Sequence, residues 1–144
     1  MTAIGLVDDR LRVAFGPGWI VRTQGPVALD DESEPEPDVA VVRGTRRDYA
    51  SGHPAWPALP VEVTESSLAL DREQKGSLYA RARVADYWIL NLIDGVLEVY
   101  REPTPADEAQ YGWRYRTVST LQPADIISPL AAPAAHISVA DLLP

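Results

Sequence analysis

Two carboxylates stand out in the sequence because of the elements in which they fall. Asp38 opens the β-branched run DVAVVR (38–43), and Glu62 lies inside LPVEVT (59–64), a run that is otherwise apolar apart from Thr64. The separation of 62 − 38 = 24 residues allows a strand, a loop and a return. If the two strands are neighbours, both side chains can converge on one ion, because Mg²⁺ needs only one or two carboxylates besides waters and substrate phosphate. Such an ion polarises a phosphoryl oxygen and activates water for attack.

Lys75 is the third candidate, on a helix that the sequence predicts from about Leu70 to Arg83. At helical spacing it shares one face with Leu78, Tyr79 and Ala82. That face is otherwise apolar and should pack on a sheet, so the lysine either extends to water or reaches a buried anion. Beside a metal ion, a lysine would stabilise developing negative charge or orient the attacking water.

Each of the three residues also has a purely structural interpretation. Asp38 follows a proline and can be a turn residue at a strand start. Val61 and Val63 point to the face opposite Glu62, so Glu62 can also lie on the solvent-facing side of an antiparallel sheet. Lys75 can form a local ion pair with Asp71 at i−4, which stabilises a helix by only about 0.2–0.5 kcal/mol.

Composition narrows the chemistry that these residues can perform. The 144 residues fit a single domain (1–144), and an apolar fraction of 46% is that of a globular protein. The absence of cysteine excludes a thiolate metal site, and the presence of only His53 and His136 counts against a histidine-rich zinc site. Any metal would therefore be held by oxygen ligands, which favours magnesium, manganese or calcium. Ser66 and Ser67 follow Glu62, but no histidine lies in a context that would activate them as nucleophiles.

The net charge of −8 counts against tight, non-specific binding to duplex DNA, which usually depends on neutralising phosphates. It does not exclude a nuclease, because the metal-binding groups are acidic and the substrate contact can be a local patch. The N-terminus resembles no signal peptide and contains no apolar run long enough to cross a membrane. We therefore expect a cytoplasmic protein without membrane association.

The arrangement of elements predicts an α/β (α+β) fold with helices packed on a central mixed β-sheet. An amphipathic helix over 3–15 is ended by the GPG at 16–18, and Asp94-Gly95 between apolar runs predicts a hairpin. An acidic loop at 30–38 and an irregular segment at 44–58 separate the early strands. The predicted strands cover residues 19–24, 38–43, 59–64, 86–92, 96–102 and 113–120; a loop is predicted at 103–110 and a short helix in the tail.

These segments resemble the Uma family of small bacterial putative restriction endonucleases, part of the PD-(D/E)xK nuclease superfamily. The resemblance covers residues 20–102 most closely, through EPEPDVAVVRG and PVEVTESSLALDREQKGSLYARARVADYWILNLIDGVLEVYREP. It implies a restriction-endonuclease-like core in which Asp38 is the Asp of the Pro-Asp motif and Glu62 the acidic residue of the second motif. Position 64 is Thr64, so the usual Glu-x-Lys is not met; the family implies that its lysine lies on the following helix, which Lys75 matches.

The chain also departs from the family pattern. Family members usually begin with an additional segment, whereas this sequence is expected to start partway through the first helix and to lack that segment. Where members commonly have Ala-Gly-Ile-Pro-Glu-Tyr-Trp, this chain has Ala-Arg-Val-Ala-Asp-Tyr-Trp at 82–88, and Asn91 replaces a common Asp.

Two functions follow from these residues and the resemblance. The first is a Mg²⁺- or Mn²⁺-dependent endonuclease that hydrolyses DNA phosphodiester bonds, with Asp38 and Glu62 as metal ligands and Lys75 as the residue that stabilises charge. The second is a catalytically inactive module on the nuclease scaffold, which binds a partner or assembles as a stable oligomer such as a homodimer. Coordinates that place Asp38 and Glu62 on opposite faces of the sheet would exclude the first.

Overall fold

The computed structural model of the chain describes residues 2–29, 33–49 and 56–144. Residues 30–32 of the predicted acidic loop and residues 50–55 of the predicted irregular segment, including His53, lie outside the described residues. None of the helices in the described ranges combines the length and the apolar character that a membrane span requires.

The first helix, α1, spans Ala3–Phe15, as its periodicity predicts. It begins where the Thr2 hydroxyl accepts a hydrogen bond from the Gly5 amide at 3.2 Å. It ends at Gly16, whose φ of 69° lies in the left-handed region that glycine tolerates, and whose N–H donates to the Arg12 carbonyl at 3.1 Å. Its buried face consists of Ala3, Val7, Leu11 and Phe15.

The sheet has six strands in the order in which they occur in the sequence. β3 and β4 are parallel and every other neighbouring pair is antiparallel, so the predicted mixed sheet is confirmed. The parallel pair follows from the helix between them, which carries the chain back to the edge where β3 began. The strands are β1 Trp19–Thr23, β2 Val39–Arg43, β3 Leu59–Thr64, β4 Asp86–Asn91, β5 Val96–Pro105 and β6 Trp113–Leu121.

The loop predicted between β5 and β6 is wrong at its start, whereas the predicted tail helix is found. The loop predicted for 103–110 begins later, because β5 continues to Pro105, which pairs with Trp113 of β6. The predicted short helix of the tail is present as a 3₁₀ helix at Val139–Leu142, next to a two-stranded ribbon formed by β7 (Ile126–Ile127) and β8 (Ile137–Ser138). A further 3₁₀ turn covers Arg46–Tyr49.

Alternation along the strands gives the sheet two different faces. One face packs against α1 and the tail through a large aliphatic core that includes Val61, Trp88, Leu90 and Leu97. The other face packs against the helix between β3 and β4 and is rich in tyrosine, with Tyr79, Tyr87, Ile89, Tyr100 and Tyr115. Odd and even positions of one strand therefore lie in different environments, which determines where Glu62 points.

The helix between β3 and β4 departs from the regular helix predicted for 70–83. Residues Leu70–Lys75 form a π-helical segment, and α2 continues from Gly76 to Arg81. The Asp71 carbonyl accepts from the Gly76 amide, five residues on, and from the Tyr87 hydroxyl at 2.8 Å. Such wide turns are rare and are often found at functional sites.

Candidate active site

The register between β2 and β3 brings the two predicted carboxylates together. Val39 lies opposite Val61 in this antiparallel pair, so the same register extended by one position sets Asp38 opposite Glu62. Residues opposite each other in such a pair point to the same face. Asp38 lies just before β2 rather than inside it, and its Oδ2 accepts a hydrogen bond from the Val63 amide at 2.7 Å.

Glu62 is buried, with 1% of its surface exposed, so the solvent-facing alternative does not apply. It lies on the tyrosine-rich face, while Val61 packs into the aliphatic core on the α1 side. Its Oε1 lies 3.3 Å from the Lys75 ammonium, and its Oε2 accepts from the Tyr79 hydroxyl at 3.4 Å. Lys75 and Tyr79 are four residues apart, so one helix face supplies both contacts.

Lys75 reaches a buried anion rather than extending only to water. Its side chain is 27% exposed, and its Nζ lies 3.3 Å from Glu62 and 3.6 Å from Asp71 Oδ1. The local ion pair with Asp71 that the spacing predicted therefore also forms. Lys75 bridges two carboxylates from different elements at the rim of the buried cluster.

Asp71 is the residue that sequence analysis undervalued. Only 3% of its surface is exposed, and its Oδ2 accepts from the Ser67 hydroxyl at 3.2 Å. Ser67 in turn donates its amide to Thr64 Oγ1 at 2.9 Å, and the two hydroxyls lie 2.9 Å apart. The spacing of Ser67, Asp71 and Lys75 at four-residue intervals is the pattern from which this group could have been inferred.

Two carboxyl groups of the cluster, Glu62 and Asp71, have raised pKa values. Burial raises the pKa of Glu62 from 4.5 to about 8; Lys75 opposes this shift, while Asp38 and Asp71 add to it. Burial also raises the pKa of Asp71. Burial lowers the pKa of Lys75 but the neighbouring carboxylates more than compensate, so its net shift is upward and the ammonium stays charged. Glu62, Asp71 and Asp38 thus interact with one positively charged group, the Lys75 ammonium.

This donor set fits a hard divalent cation. The candidate ligands are carboxyl oxygens, which hard divalent cations prefer, and a bound cation would displace the proton that the raised pKa of Glu62 retains. In the described ranges, no group of three or more Asp, Glu, His or Cys side chains is arranged as a metal site. The two residues that would hold a metal are Asp38 and Glu62, a number that Mg²⁺ accepts when water and phosphate complete its octahedron.

A third buried carboxylate, Glu98, lies on the same face and is bound by other donors. Glu98 receives two hydrogen bonds from Arg72, at 3.0 and 2.5 Å, one from Tyr100 at 2.6 Å and one from Asn91 at 3.0 Å. Despite burial, these donors lower its pKa, so Glu98 remains ionised and ties the helix to β5. An Asp at position 91, the common family residue, would remove the Asn91 amide donor and set another acid beside Glu98.

Comparisons with known proteins agree with this fold. A sequence model of the Uma2 family, described as "putative restriction endonuclease", matches residues 3–140. No curated protein matches the chain in sequence. The chain is similar to the crystal structure of a "putative nuclease belonging to DUF820" from Anabaena variabilis, with 16% identity, a TM-score of 0.68 and coverage of 97% of this chain and 77% of that one. The predicted fold class is thus confirmed, and the chain belongs to the Uma2 family of putative restriction endonucleases.

Proposed function

We propose that the protein is a metal-dependent endonuclease that hydrolyses DNA phosphodiester bonds at the cluster formed by Asp38, Glu62 and Lys75. The observation that carries the proposal is the buried Glu62 carboxylate, which lies 3.3 Å from the Lys75 ammonium and shares its face of the sheet with Asp38. Charged residues are rarely buried unless they are paired, and buried groups with shifted pKa values are concentrated at functional sites. The family supports the same function, since it is described as "putative restriction endonuclease".

In this proposal Asp38 and Glu62 hold Mg²⁺ or Mn²⁺, and the bound ion would polarise the phosphoryl oxygen and activate water. Tyr79 orients Glu62 through its hydroxyl. Lys75, which stays protonated, donates to a phosphate oxygen as negative charge develops there. Asp71 Oδ1 also lies 3.6 Å from the Lys75 ammonium and helps to hold the lysine at the site.

The direct test is cleavage of supercoiled plasmid DNA by wild type, Asp38→Asn and Glu62→Gln, with Mg²⁺ or with EDTA. We expect metal-dependent nicking by wild type and loss of at least about a hundredfold in each variant, since each removes a charged ligand. Glu36→Gln, at an exposed position two residues before Asp38, is the matched control and should cleave like wild type. Nicking that survives both site substitutions would exclude this site.

The second candidate function is a catalytically inactive module for binding or assembly. Two observations favour it: the Val63 amide already occupies one oxygen of Asp38, and Lys75 and Tyr79 already engage both oxygens of Glu62. Calorimetric titration with Mg²⁺ and Mn²⁺ separates the two functions. Binding that disappears in Asp38→Asn supports the enzyme, whereas no binding at millimolar metal together with a stable homodimer in sedimentation supports the module.

A further inference from the structure

A groove of about 380 Å³ follows the free edge of β1. Three arginines line it, Arg12 from α1, Arg22 from β1 and Arg46 from the 3₁₀ turn, together with Thr23 and Tyr49. Among the described residues that line it, none is a carboxylate. In a chain with 21 acidic and 13 basic residues, three arginines around one groove are a local reversal of the overall charge, even with Arg12 paired to Asp8.

Main-chain carbonyls hold two of these arginines in place. Arg12 donates from Nη2 to the Val21 carbonyl at 2.9 Å, and Arg22 donates from Nη1 to the Pro26 carbonyl at 3.2 Å. Arg12 also pairs with Asp8 through Nε at 3.0 Å. Each guanidinium has five N–H donors, so both keep donors for a ligand while their positions are already ordered. Less side-chain entropy is therefore lost on binding.

The third arginine is exposed and available. Arg46 and its neighbour Arg47 are both exposed, and no ion pair or hydrogen bond to their guanidinium groups is found within the described ranges. An anion binding here would break no existing interaction.

Arg22 brings one part of the groove close to the candidate active site. Arg22 pairs with Ala40, two positions along β2 from Asp38, and the Gln24 amide donates to the Asp38 carbonyl at 2.9 Å. With about 3.3 Å per residue and about 4.8 Å between strands, the Cα atoms of Arg22 and Asp38 lie about 8 Å apart. The register also places the Arg22 side chain on the same face of the sheet as Glu62.

We propose that this groove binds the phosphodiester backbone of a DNA strand and leads it to the cluster around Glu62. The inference rests on the proposed function and adds the surface through which an acidic protein holds a polyanion. Planar guanidinium groups match phosphate with paired hydrogen bonds. A series of them beside the edge strand suits an extended chain of phosphates better than a single ion. The groove thereby accounts for DNA contact at a net charge of −8.

The test compares two charge reversals at opposite edges of the sheet. Arg46→Glu changes the groove beside β1, and Arg116→Glu changes an exposed position on β6, so both alter the net charge by −2. Binding to fluorescent single-stranded and duplex oligonucleotides is measured by anisotropy in EDTA, so that no cleavage occurs, at several salt concentrations. Thermal melting of both variants checks that each remains folded.

We expect Arg46→Glu to weaken binding at low salt by about tenfold or more. The association constant should also fall less steeply with salt, so that the plot of its logarithm against log salt becomes shallower by about 0.7–0.9. Arg116→Glu should change the affinity less than twofold. Equal weakening by both variants would show that only net charge matters and would overturn the inference. Absence of binding by the wild type would overturn it as well.

The same variants separate this inference from the proposed hydrolysis. If wild type nicks plasmid DNA but Arg46→Glu and Arg116→Glu bind and nick equally, the groove assignment fails while the nuclease assignment stands. If wild type binds DNA through the groove but shows no metal-dependent nicking, the groove stands and the hydrolytic function fails.

Discussion

The buried carboxyl group of Glu62 should make the stability of the metal-free protein fall as pH rises. Its pKa is about 8 in the folded protein against 4.5 for the exposed group. The folded state therefore binds this proton more tightly than the unfolded chain does. The corresponding stability is fully present below pH 4.5 and is lost as pH rises through 8.

The size of the effect follows from the shift. The difference of 8 − 4.5 = 3.5 pKa units corresponds to about 5 kcal/mol, at about 1.4 kcal/mol per unit, between the acidic and alkaline limits. Most of this change falls between pH 5 and 8. Typical domains have a total stability of only about 5–15 kcal/mol, so a change of even a few kcal/mol is easily measured. Asp71, whose pKa is also raised, changes stability in the same direction.

Glu62→Gln is the variant that isolates this group. The amide oxygen still accepts from Lys75 and Tyr79, but the side chain no longer ionises. Urea unfolding is followed by tryptophan fluorescence in EDTA at pH 5.5, 7.0 and 8.5. We expect wild type to lose a few kcal/mol more than the variant over this range. Exposed Glu36→Gln should follow wild type.

A divalent metal ion should restore the stability that wild type loses at alkaline pH, and it should not do so in Glu62→Gln. A cation that binds only the folded state adds stability by mass action, about 2.7 kcal/mol at a hundred times its Kd. At pH 8.5, Mg²⁺ should thus stabilise wild type and leave Glu62→Gln unchanged. Parallel pH profiles for wild type and Glu62→Gln would refute the raised pKa. Equal stabilisation of both by Mg²⁺ would refute Glu62 as a ligand.

Three further predictions concern single side chains. Lys75→Met should reduce metal-dependent nicking by about 10²–10³-fold and raise the pKa of Glu62 further, seen as an alkaline shift in the stability profile. Arg83→Gly should stabilise the protein in urea by about 0.5–1 kcal/mol, because Arg83 has φ 60° after α2, where glycine is unstrained; Arg83→Ala should give no gain. Asp86→Ala should cost about 3–5 kcal/mol, because buried Asp86 accepts from Arg101, the Trp88 indole and the Leu130 amide; a loss under 1 kcal/mol would contradict this.

The sequence was sufficient for features that depend on local pattern. The periodicity of 3–15 predicted α1 with its observed bounds, and Leu59–Thr64 was predicted without error. The Asp94-Gly95 pair predicted the hairpin between β4 and β5, where Gly95 has φ 68° and donates to the Asn91 carbonyl at 2.9 Å. Each of these depends on interactions within a few residues, so composition and spacing carry the necessary information.

Features that depend on contacts between residues distant in the chain could not be predicted from the sequence. The π-helical segment Leu70–Lys75 has no pattern of its own, and its Asp71 carbonyl is shared with Tyr87 on a neighbouring strand. The extension of β5 to Pro105 depends on pairing with β6, since a proline would otherwise favour a loop.

For the candidate site, the sequence by itself selected the residue types: an Asp at a strand start, a Glu within an apolar strand and a Lys on an apolar helix face. Only the tertiary structure decided that Glu62 is buried and paired with Lys75, that Asp38 lies on the same face, and that Asp71 joins them. The physical reason is that a side chain's face and burial depend on strand register and helix packing. Both are set by contacts between residues that are far apart in the chain.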